Sequence, residues 1–401
     1  MKIKSIVTRG TFLGALLAGA SLPLQAQDHK ALHQKAIVVD THNDVLIAVM
    51  DGLDIAEDLR GKTHSDLARF KEGGVDVQIF SVWSDETYGK GKGFAYANRQ
   101  IDSLYAIAAR NPDKLRIVTS PEELMQAVKQ QKLAAMIGVE GGHMIEDKLG
   151  YLDSLYSRGT RYLTLTWNNS TSWASSAADE TGGTVPNAQK GLNDFGRQVV
   201  RRMNELGMMV DLSHVGEQTF WDVMETTTKP VIVSHSSAYA IRPHARNLKD
   251  EQIRAIAKNG GVIQLNFFSG FLDSKFDKRQ KQFLAKHQAE LDSLKKLGWS
   301  TSRRNEWLKE KYPAEANAVR PPLSLLLDHL DHIVKLVGVD YVGFGSDFDG
   351  ISSAPQQLDG VEDFPVLTRE LLVRGYSAQD IEKILGGNFL RVFQENAVPK
   401  S

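Results

Sequence analysis

Residues 36–45 read "AIVVDTHNDV", in which an apolar run leads directly into the polar segment "DTHND". Alternate side chains of a β-strand point to the same side, so His42 and Asp44 could reach one metal ion together. The simpler interpretation is that a strand reaches the surface and turns there, with Asp44 capping the helix that follows. The remainder of the sequence has to distinguish these two interpretations.

Composition and charge narrow the classes of protein. The 401 residues are 42% hydrophobic and 24% charged, as in ordinary globular proteins. The 48 basic and 49 acidic residues nearly cancel, which is not the basic surface that nucleic-acid binding requires. Cysteine is absent, so thiol catalysis and cysteine-ligated zinc are excluded. We therefore expect a small-molecule partner, and any metal must be held by His, Asp and Glu.

The N-terminus predicts export. Basic residues at Lys2, Lys4 and Arg9 precede the apolar stretch "TFLGALLAGASLPL" and then "QAQ". This order is typical of a secretory signal peptide, which we place at residues 1–26 with cleavage after Ala26. A membrane anchor is the alternative, but the apolar run is short for a bilayer span. We expect a periplasmic or secreted protein with no membrane anchor in its mature form.

Eight short, nearly continuous apolar runs predict eight β-strands, separated by segments with helical periodicity. The runs cover residues 36–44, 75–83, 133–142, 162–169, 208–215, 231–237, 261–268 and 341–350. Apolar strands that alternate with helices favour a parallel sheet covered by helices. Eight such units predict a single α/β domain over residues 27–401, a (β/α)8 TIM barrel. The charged segment 271–313 predicts a helical insertion, for which we favour a solvated surface helix pair over a lid.

Ionisable side chains end five of these predicted strands. They are His42, Asp44, Glu140, His214, His235 and Asp347. The carboxyl ends of all barrel strands meet on one face, where active sites of this fold lie, so residues some distance apart in sequence become neighbours. Each residue alone could be a hydrogen-bonded core histidine or a turn former. Together they would be costly to bury without compensating charge, which a pair of divalent cations would provide.

The chemistry of these side chains suggests a division of labour. Two metals roughly 3.5–4 Å apart need a short bridge, and Glu140, with two carboxylate oxygens, lies between the two groups of ligands. The remaining ligands would be the pair His42 and Asp44 for one metal and the pair His214 and His235 for the other. A water held between the ions would have a pKa near roughly 7. Asp347 would accept its proton and pass it to the leaving nitrogen.

Six longer motifs resemble the membrane (renal) dipeptidase family of binuclear zinc peptidases. They are "DTHND", "GVEGGH", "YLTLTWN", "VDLSHV", "VSHSSAYAIRPHARN" and "GFGSDFDG", in the family's order between about residues 35 and 390. The resemblance implies a (β/α)8 barrel with two Zn2+ per chain that hydrolyses dipeptides, including those with a D-residue in second position. It also implies the same five metal ligands, with Glu140 as the bridge and Asp347 as the catalytic acid and base.

The resemblance extends to substrate contacts and shows one departure. Arg246, in "PHARN", matches an arginine that helps to hold the substrate, and its planar guanidinium suits a free carboxylate. A surface salt bridge is the alternative for this residue. Trp167 stands where many family members have a histidine near the developing oxyanion, and an indole cannot carry its positive charge. Either Asn168 or Asn169 supplies the missing donor, or the transition state is less stabilised, or the substrate differs.

Three functions are consistent with these observations. We favour an exported zinc dipeptidase that acts through a metal-activated water. A related metal-dependent amidohydrolase acting on N-acyl amino acids is the alternative that Trp167 leaves open, and a non-catalytic periplasmic binding protein is the third. Mn2+ or Co2+ would also fit a His/Asp/Glu donor set. Members of the family often form homodimers, but no feature of this sequence defines an interface.

Overall fold

A computed structural model describes residues 28–85, 91–185 and 190–398, and the predicted signal peptide at residues 1–26 lies outside these ranges. Nine parallel strands form one sheet in this part of the chain. The strands are β1 (Val39–Asn43), β2 (Val77–Trp83), β3 (Leu115–Ile117), β4 (Leu133–Glu140), β5 (Thr160–Thr164), β6 (Met209–Asp211), β7 (Ile232–Ser236), β8 (Val262–Leu265) and β9 (Val342–Phe344). Seven of the eight predicted runs contain one of these strands, the run 162–169 overlaps β5, which begins two residues earlier at Thr160, and β3 was not predicted.

The strands are separated by α-helices. They are α1 (His29–Lys35), α2 (Val45–Met50), α3 (Leu67–Glu72), α4 (Gly93–Arg110), α5 (Pro121–Lys129), α6 (Leu149–Ser157), α7 (Ala177–Gly182), α8 (Asp194–Leu206), α9 (Glu217–Thr226), α10 (Asp250–Asn259), α11 (Ser269–Leu272), α12 (Phe276–Lys286), α13 (Gln288–Lys296), α14 (Thr301–Lys311), α15 (Pro313–Val319), α16 (Leu323–Val337), α17 (Phe364–Val373), α18 (Ala378–Glu382) and α19 (Asn388–Asn396). Helix and strand alternate as the barrel prediction requires. No helix among the described residues is both long enough and apolar enough to cross a bilayer.

The sheet curls into a nearly closed barrel in the order β1-β2-β4-β5-β6-β7-β8-β9. The first and last strands meet through two hydrogen bonds just beyond their ends. The Asp347 N–H donates to the His42 carbonyl (3.0 Å), and the Asp44 N–H donates to the Phe348 carbonyl (2.9 Å). The polar ends of β1 and β9 are therefore held side by side, and the predicted TIM barrel is confirmed.

The unpredicted strand β3 pairs only with the start of β4, with Leu115 opposite Leu133. It is not a barrel strand, because β4 has β2 and β5 as its neighbours in the barrel, and β5 pairs with β4 from Ile137 onward. Three residues, "LRI", are too few to show a strand pattern in sequence. The barrel itself therefore has the eight strands that were predicted.

Strand β4 shows how the sheet separates two apolar layers. Ala134 and Met136 pack in the barrel interior, and the alternate residues, such as Ile137 and Val139, pack against the outer helices. All eight β4 residues are buried, which explains their continuous apolar run. Glu140 has the parity of Ala134 and Met136 and therefore points into the barrel, at its carboxyl end.

The segment predicted as a helical insertion is helical, but it holds more than the predicted pair of helices. Helices α12 to α15 follow one another between β8 and α16. Lys309 on α14 donates to the Ser352 carbonyl (2.7 Å), and Arg320, just after α15, donates to the Ala354 carbonyl (2.8 Å). The insertion is therefore attached to the segment that follows β9.

Candidate metal centre

Glu140, the last residue of β4, lies at the centre of the cluster of predicted ligands. It is buried, with 4% of its surface exposed. Its Oε1 lies 2.9 Å from His214 Nε2 and 3.4 Å from His235 Nε2, whereas its Oε2 lies 3.4 Å from His42 Nε2. The two carboxylate oxygens thus face two different groups of side chains, as a bridging ligand must.

His42 and Asp44 occupy the end of β1. The β1–β2 register shifts between Asp40 and Asn43, and His42 Nε2 lies 3.4 Å from Asp44 Oδ2. Asp44 occupies the N-cap position of helix α2, but its side chain makes no cap hydrogen bond there, so capping does not account for its carboxylate. A Cβ on Gly350 would lie 2.2 Å from Asp44 Oδ2 and 2.6 Å from an Asp347 oxygen, so a glycine is needed where these carboxylates converge.

A tyrosine determines the tautomer of His42. The Tyr162 hydroxyl lies 2.8 Å from His42 Nδ1 and donates to the Thr41 carbonyl (3.1 Å). A hydroxyl has one proton, so it must accept from the Nδ1–H of His42. A Cβ on Gly138 would lie 2.1 Å from the Tyr162 ring, so only glycine there lets the ring cross β4. The Nε2 of His42 is left as an acceptor that faces the cluster.

The other two histidines are held in the same tautomer. His235 Nδ1 lies 2.8 Å from Ser234 Oγ, which donates to Asp211 Oδ2 (2.6 Å) and therefore accepts from the imidazole. His214 Nδ1 lies 3.1 Å from Asn168 Oδ1, an atom that can only accept. Both Nε2 atoms are then lone-pair donors for a metal, yet they lie only 3.0 Å apart.

This arrangement fits bound cations. The Nε2 atoms of the neutral His214 and His235 and the Oε1 of Glu140 are acceptors at short range, and such contacts repel unless positive charge lies among them. His42 Nε2 and Asp44 Oδ1 are buried, and neither has a hydrogen-bond partner in the described part of the chain. Two sets of ligand atoms lie within 4.8 Å of one another, namely His42, Glu140 and His235, and His42, Asp44 and Asp347. Nitrogen and carboxylate donors of this kind suit Zn2+.

Burial sets the protonation of the second histidine group. Loss of solvent lowers the pKa of His214 to about 4, and it lowers the pKa of His235 well below its ordinary value. Both imidazoles are therefore neutral near pH 7, as metal ligands must be. The backbone of His214 is left-handed (φ 65°), a conformation that costs energy in most residues and is common at functional sites.

Asp347 lies beside the cluster as a carboxyl group with a raised proton affinity. Burial raises its pKa to about 8, and the nearby Asp44 and Glu140 carboxylates add to this effect. The Asn266 amide donates to its Oδ2 (2.8 Å). Its backbone is also left-handed (φ 60°), which aims the side chain back toward β1. Its position and proton affinity suit a group that gains and releases a proton near pH 7.

Arg246 brings positive charge to the same face. Its guanidinium is buried and donates to Ser236 Oγ (3.2 Å) and the His235 carbonyl (3.3 Å), while its Nε has no partner within residues 28–85, 91–185 and 190–398. Arg246 is only 7% exposed and takes part in no ion pair among the described residues, so the alternative of a surface salt bridge is wrong. Burial lowers its pKa to about 10, so it is still charged at neutral pH. It borders a cavity of about 400 Å³ that His214 also lines.

Of the three residues after β5 that were predicted to contact the substrate, two lie beside His214 and the third has no described contact with it. The Trp167 ring lies 6.5 Å from the His214 ring and 5.0 Å from that of Trp83. Asn168 contacts the cluster, but through the acceptor oxygen that orients His214. Asn169 donates weakly to the neighbouring Ser170 carbonyl (3.4 Å), and no described contact joins it to the cluster.

The residues behind the ligands were missed in the sequence. They are Tyr162, Asp211, Ser234 and Asn266. Each is a buried polar or hydroxyl-bearing residue in an otherwise apolar strand segment, and that pattern could have identified them. Asp211 accepts four hydrogen bonds, including one from Thr164 Oγ1 (2.5 Å), and so places a buried negative charge behind His235.

The chain is similar in sequence to known dipeptidases. The sequence model of the membrane dipeptidase family, peptidase family M19, matches residues 26–400. An uncharacterized dipeptidase of Schizosaccharomyces pombe is 32% identical over 93% of this chain and 83% of its own length. Dipeptidase 3 of Mus musculus is 32% identical over 91% of this chain, which spans 65% of that relative's length.

Solved structures share the fold. A metallo peptidase from Rhodobacter sphaeroides, solved with a phosphinate mimic of the dipeptide L-Ala-D-Ala, superposes with a TM-score of 0.72. It is 23% identical, and the match covers 90% of this chain and all of the other. The probable dipeptidase PvdM from Pseudomonas aeruginosa, also 23% identical, gives a TM-score of 0.73 over 92% of this chain and 98% of its own.

Proposed function

Since this chain belongs to the membrane dipeptidase family, peptidase family M19, and is thereby a metallo-dipeptidase, we propose that it hydrolyses dipeptides with two zinc ions per chain. The main support for this proposal is Glu140, because its two carboxylate oxygens face separate groups of ligands. His42 and Asp44 would hold one ion, His214 and His235 the other, and Glu140 both. When bound, such ions supply Lewis-acid polarisation of a carbonyl and acidify a water molecule.

Arg246 is proposed to select the substrate by its carboxylate. Its charge is buried on the ligand face without a described counter-ion, and a substrate carboxylate would neutralise it through two hydrogen bonds. In a dipeptide the free carboxylate lies one residue from the scissile bond, so it can reach Arg246 while the carbonyl lies at the cluster. A longer peptide has its carboxylate too far from the same bond.

Asp347 is proposed to transfer the proton. As a carboxylate it would accept a proton from the attacking water, and as an acid it would donate that proton to the leaving amide nitrogen. Its raised pKa suits both states near neutral pH, and the Asn266 amide holds its Oδ2 in place. The same side chain would thus accept the proton from water and donate it to the leaving nitrogen.

The direct test is hydrolysis of L-Ala-L-Ala and L-Ala-D-Ala by purified, zinc-loaded protein. The phosphinate mimic bound by the Rhodobacter sphaeroides relative has the L,D configuration, which is why both dipeptides are included. We expect cleavage that stops on chelation and returns with zinc, and elemental analysis should find two ions per chain. A protein with two zinc ions that cleaves neither dipeptide but cleaves N-acetyl-alanine would contradict the proposal and identify an amidohydrolase.

Export is a separate proposal. The apolar stretch behind Lys2, Lys4 and Arg9 supports it, and the family match begins only at residue 26. Mass determination of the N-terminus after expression in a Gram-negative host should find a chain that starts after Ala26, in the periplasmic or secreted fraction. An intact Met1 in the cytoplasmic fraction would contradict it.

A further inference from the structure

Trp83 and Trp167 form an aromatic pair beside the ligand cluster, and Trp83 ends the strand that lies across the barrel from the one that holds Arg246. We propose that this pair binds the side chain of the N-terminal residue of the substrate and favours a large apolar one, above all an aromatic ring. The proposal rests on the proposed dipeptidase function and adds the class of dipeptide that is preferred.

Barrel topology places the pair. In the ring of eight strands, β2 and β7 are four positions apart in either direction, so their carboxyl ends face each other across the barrel. Trp83 is the last residue of β2. Arg246 is attached to the end of β7 through Ser236 and the His235 carbonyl. A dipeptide whose carboxylate is held by Arg246 therefore extends its other residue toward β2.

The pair also borders the reaction centre directly. Trp83 is the register partner of Glu140 in the β2–β4 pairing, so its backbone lies beside the proposed bridging ligand. Trp167 reaches across the end of β4 from the β5 side and packs edge-to-face on Trp83, with ring centroids 5.0 Å apart and an interplanar angle of 65°. It also lies 6.5 Å from the His214 ring. The two indoles form one wall beside Glu140 and His214.

The wall is only partly covered. Both tryptophans are half-buried, whereas Trp173, six residues after Trp167, is fully packed in the core. The Trp83 indole N–H is buried and has no hydrogen-bond partner among the residues that the structure describes. Indole faces offer a large apolar area, and aromatic rings pack on them edge-to-face or offset. A substrate ring placed there would remove apolar surface from water, which a glycine or alanine residue could not do.

The first measurement is kcat/KM of the unaltered, zinc-loaded enzyme for a series X-L-Ala, with Gly, L-Ala, L-Leu, L-Phe or L-Lys as X, and for the mirrored series L-Ala-X. We expect L-Phe-L-Ala to exceed L-Ala-L-Ala by roughly 10-fold or more, with L-Leu between them. The mirrored series should rise much less. A flat X-L-Ala series, or L-Lys preferred over L-Phe, would overturn the proposal while dipeptide hydrolysis itself stands.

The second measurement uses variants and compares ratios, so that a general loss of activity cancels. In W83A and W167A the ratio of kcat/KM for L-Phe-L-Ala over L-Ala-L-Ala should fall toward 1. W299A is the matched control, since Trp299 lies between α13 and α14 with Arg303 over its ring, and its ratio should equal that of the unaltered enzyme. A ratio unchanged in both site variants would also overturn the proposal. Failure of every dipeptide to react would overturn the proposed function instead.

Discussion

The two ends of the barrel are built from the same strands and solve opposite physical problems. At the amino end the interior is apolar and closed by helix α19, with Met136 and Phe389 in one buried cluster. At the carboxyl end the interior holds acceptors that repel one another, centred on Glu140. One end is stable through packing alone, whereas the other is complete only with bound positive charge. The difference predicts which substitutions change stability and which change metal binding and catalysis.

The largest effect is expected for Glu140→Gln at the carboxyl end. The amide removes the negative charge between the two groups of ligands and presents a donor to His214 or His42. Metal content should fall below two ions per chain, and kcat should fall roughly 10³-fold or more as several kcal/mol of transition-state stabilisation are lost. Elemental analysis and dipeptide hydrolysis measure the two effects. A variant that retains both ions would rule out the bridging role.

Asp347→Asn separates proton transfer from metal binding. The amide cannot take a proton from water, so kcat should fall by about 10²–10⁴-fold. Metal content should stay at the wild-type value, because the other five residues still provide all the proposed ligands. Stopped assays with matched metal analysis would test this, and wild-type turnover would remove Asp347 from the mechanism.

Met136→Ala should lower the stability of the packed amino end of the barrel without changing the ligand cluster at its carboxyl end. Met136 has no exposed surface, so its truncation leaves a cavity that should cost about 3 kcal/mol of unfolding free energy. The urea midpoint should fall, while kcat and metal content per folded chain stay unchanged. A large loss of metal affinity in this variant would show that the two ends are energetically coupled.

Tyr162→Phe tests the orientation of His42. Without the hydroxyl, the buried Nδ1–H of His42 loses its acceptor, and the imidazole is no longer fixed with Nε2 toward Glu140. Loss of such a partner typically weakens metal affinity by about 10–100-fold. Competition with a chromogenic chelator measures this directly. Tyr156→Phe, on helix α6, is a matched control that should keep wild-type affinity.

The smallest expected effect is a pH dependence of stability at His329, in helix α16. Its Nδ1 accepts from the Ala238 N–H (3.0 Å), its Nε2 faces the Leu272 carbonyl (3.1 Å), and burial lowers its pKa to about 4. The unfolded chain takes up this proton near pH 6.5, so the stabilisation is complete above pH 6.5 and is lost as pH falls toward 4.

This loss should reach about 1–2 kcal/mol between pH 7.5 and pH 5. Urea unfolding of metal-free protein should show it as a steeper decline in wild type than in His329→Gln, which cannot titrate. Parallel declines in the two proteins would mean that His329 is protonated equally in both states.

The residues themselves determined the barrel and the members of the cluster. Strands buried on both faces must be apolar along their whole length, so β4 is readable as a continuous run that ends at Glu140. Parallel strands place their carboxyl ends together, so polar residues at those ends predict one shared site. Strand β3 was not predicted, because its three residues gain their order only by pairing with β4.

The contacts that orient the ligands depend on the tertiary structure and could not be read from the sequence. Tyr162 meets His42 across 120 residues of chain, and Trp83 meets Trp167 over the end of β4. Such contacts depend on which side chains a closed barrel brings within a few ångströms, and that geometry has no local signature. The same holds for Arg246, which forms no ion pair with any described residue, a property that depends on where every neighbour lies. Local physics therefore specifies the strands and their ends, and closure of the barrel specifies the chemistry among them.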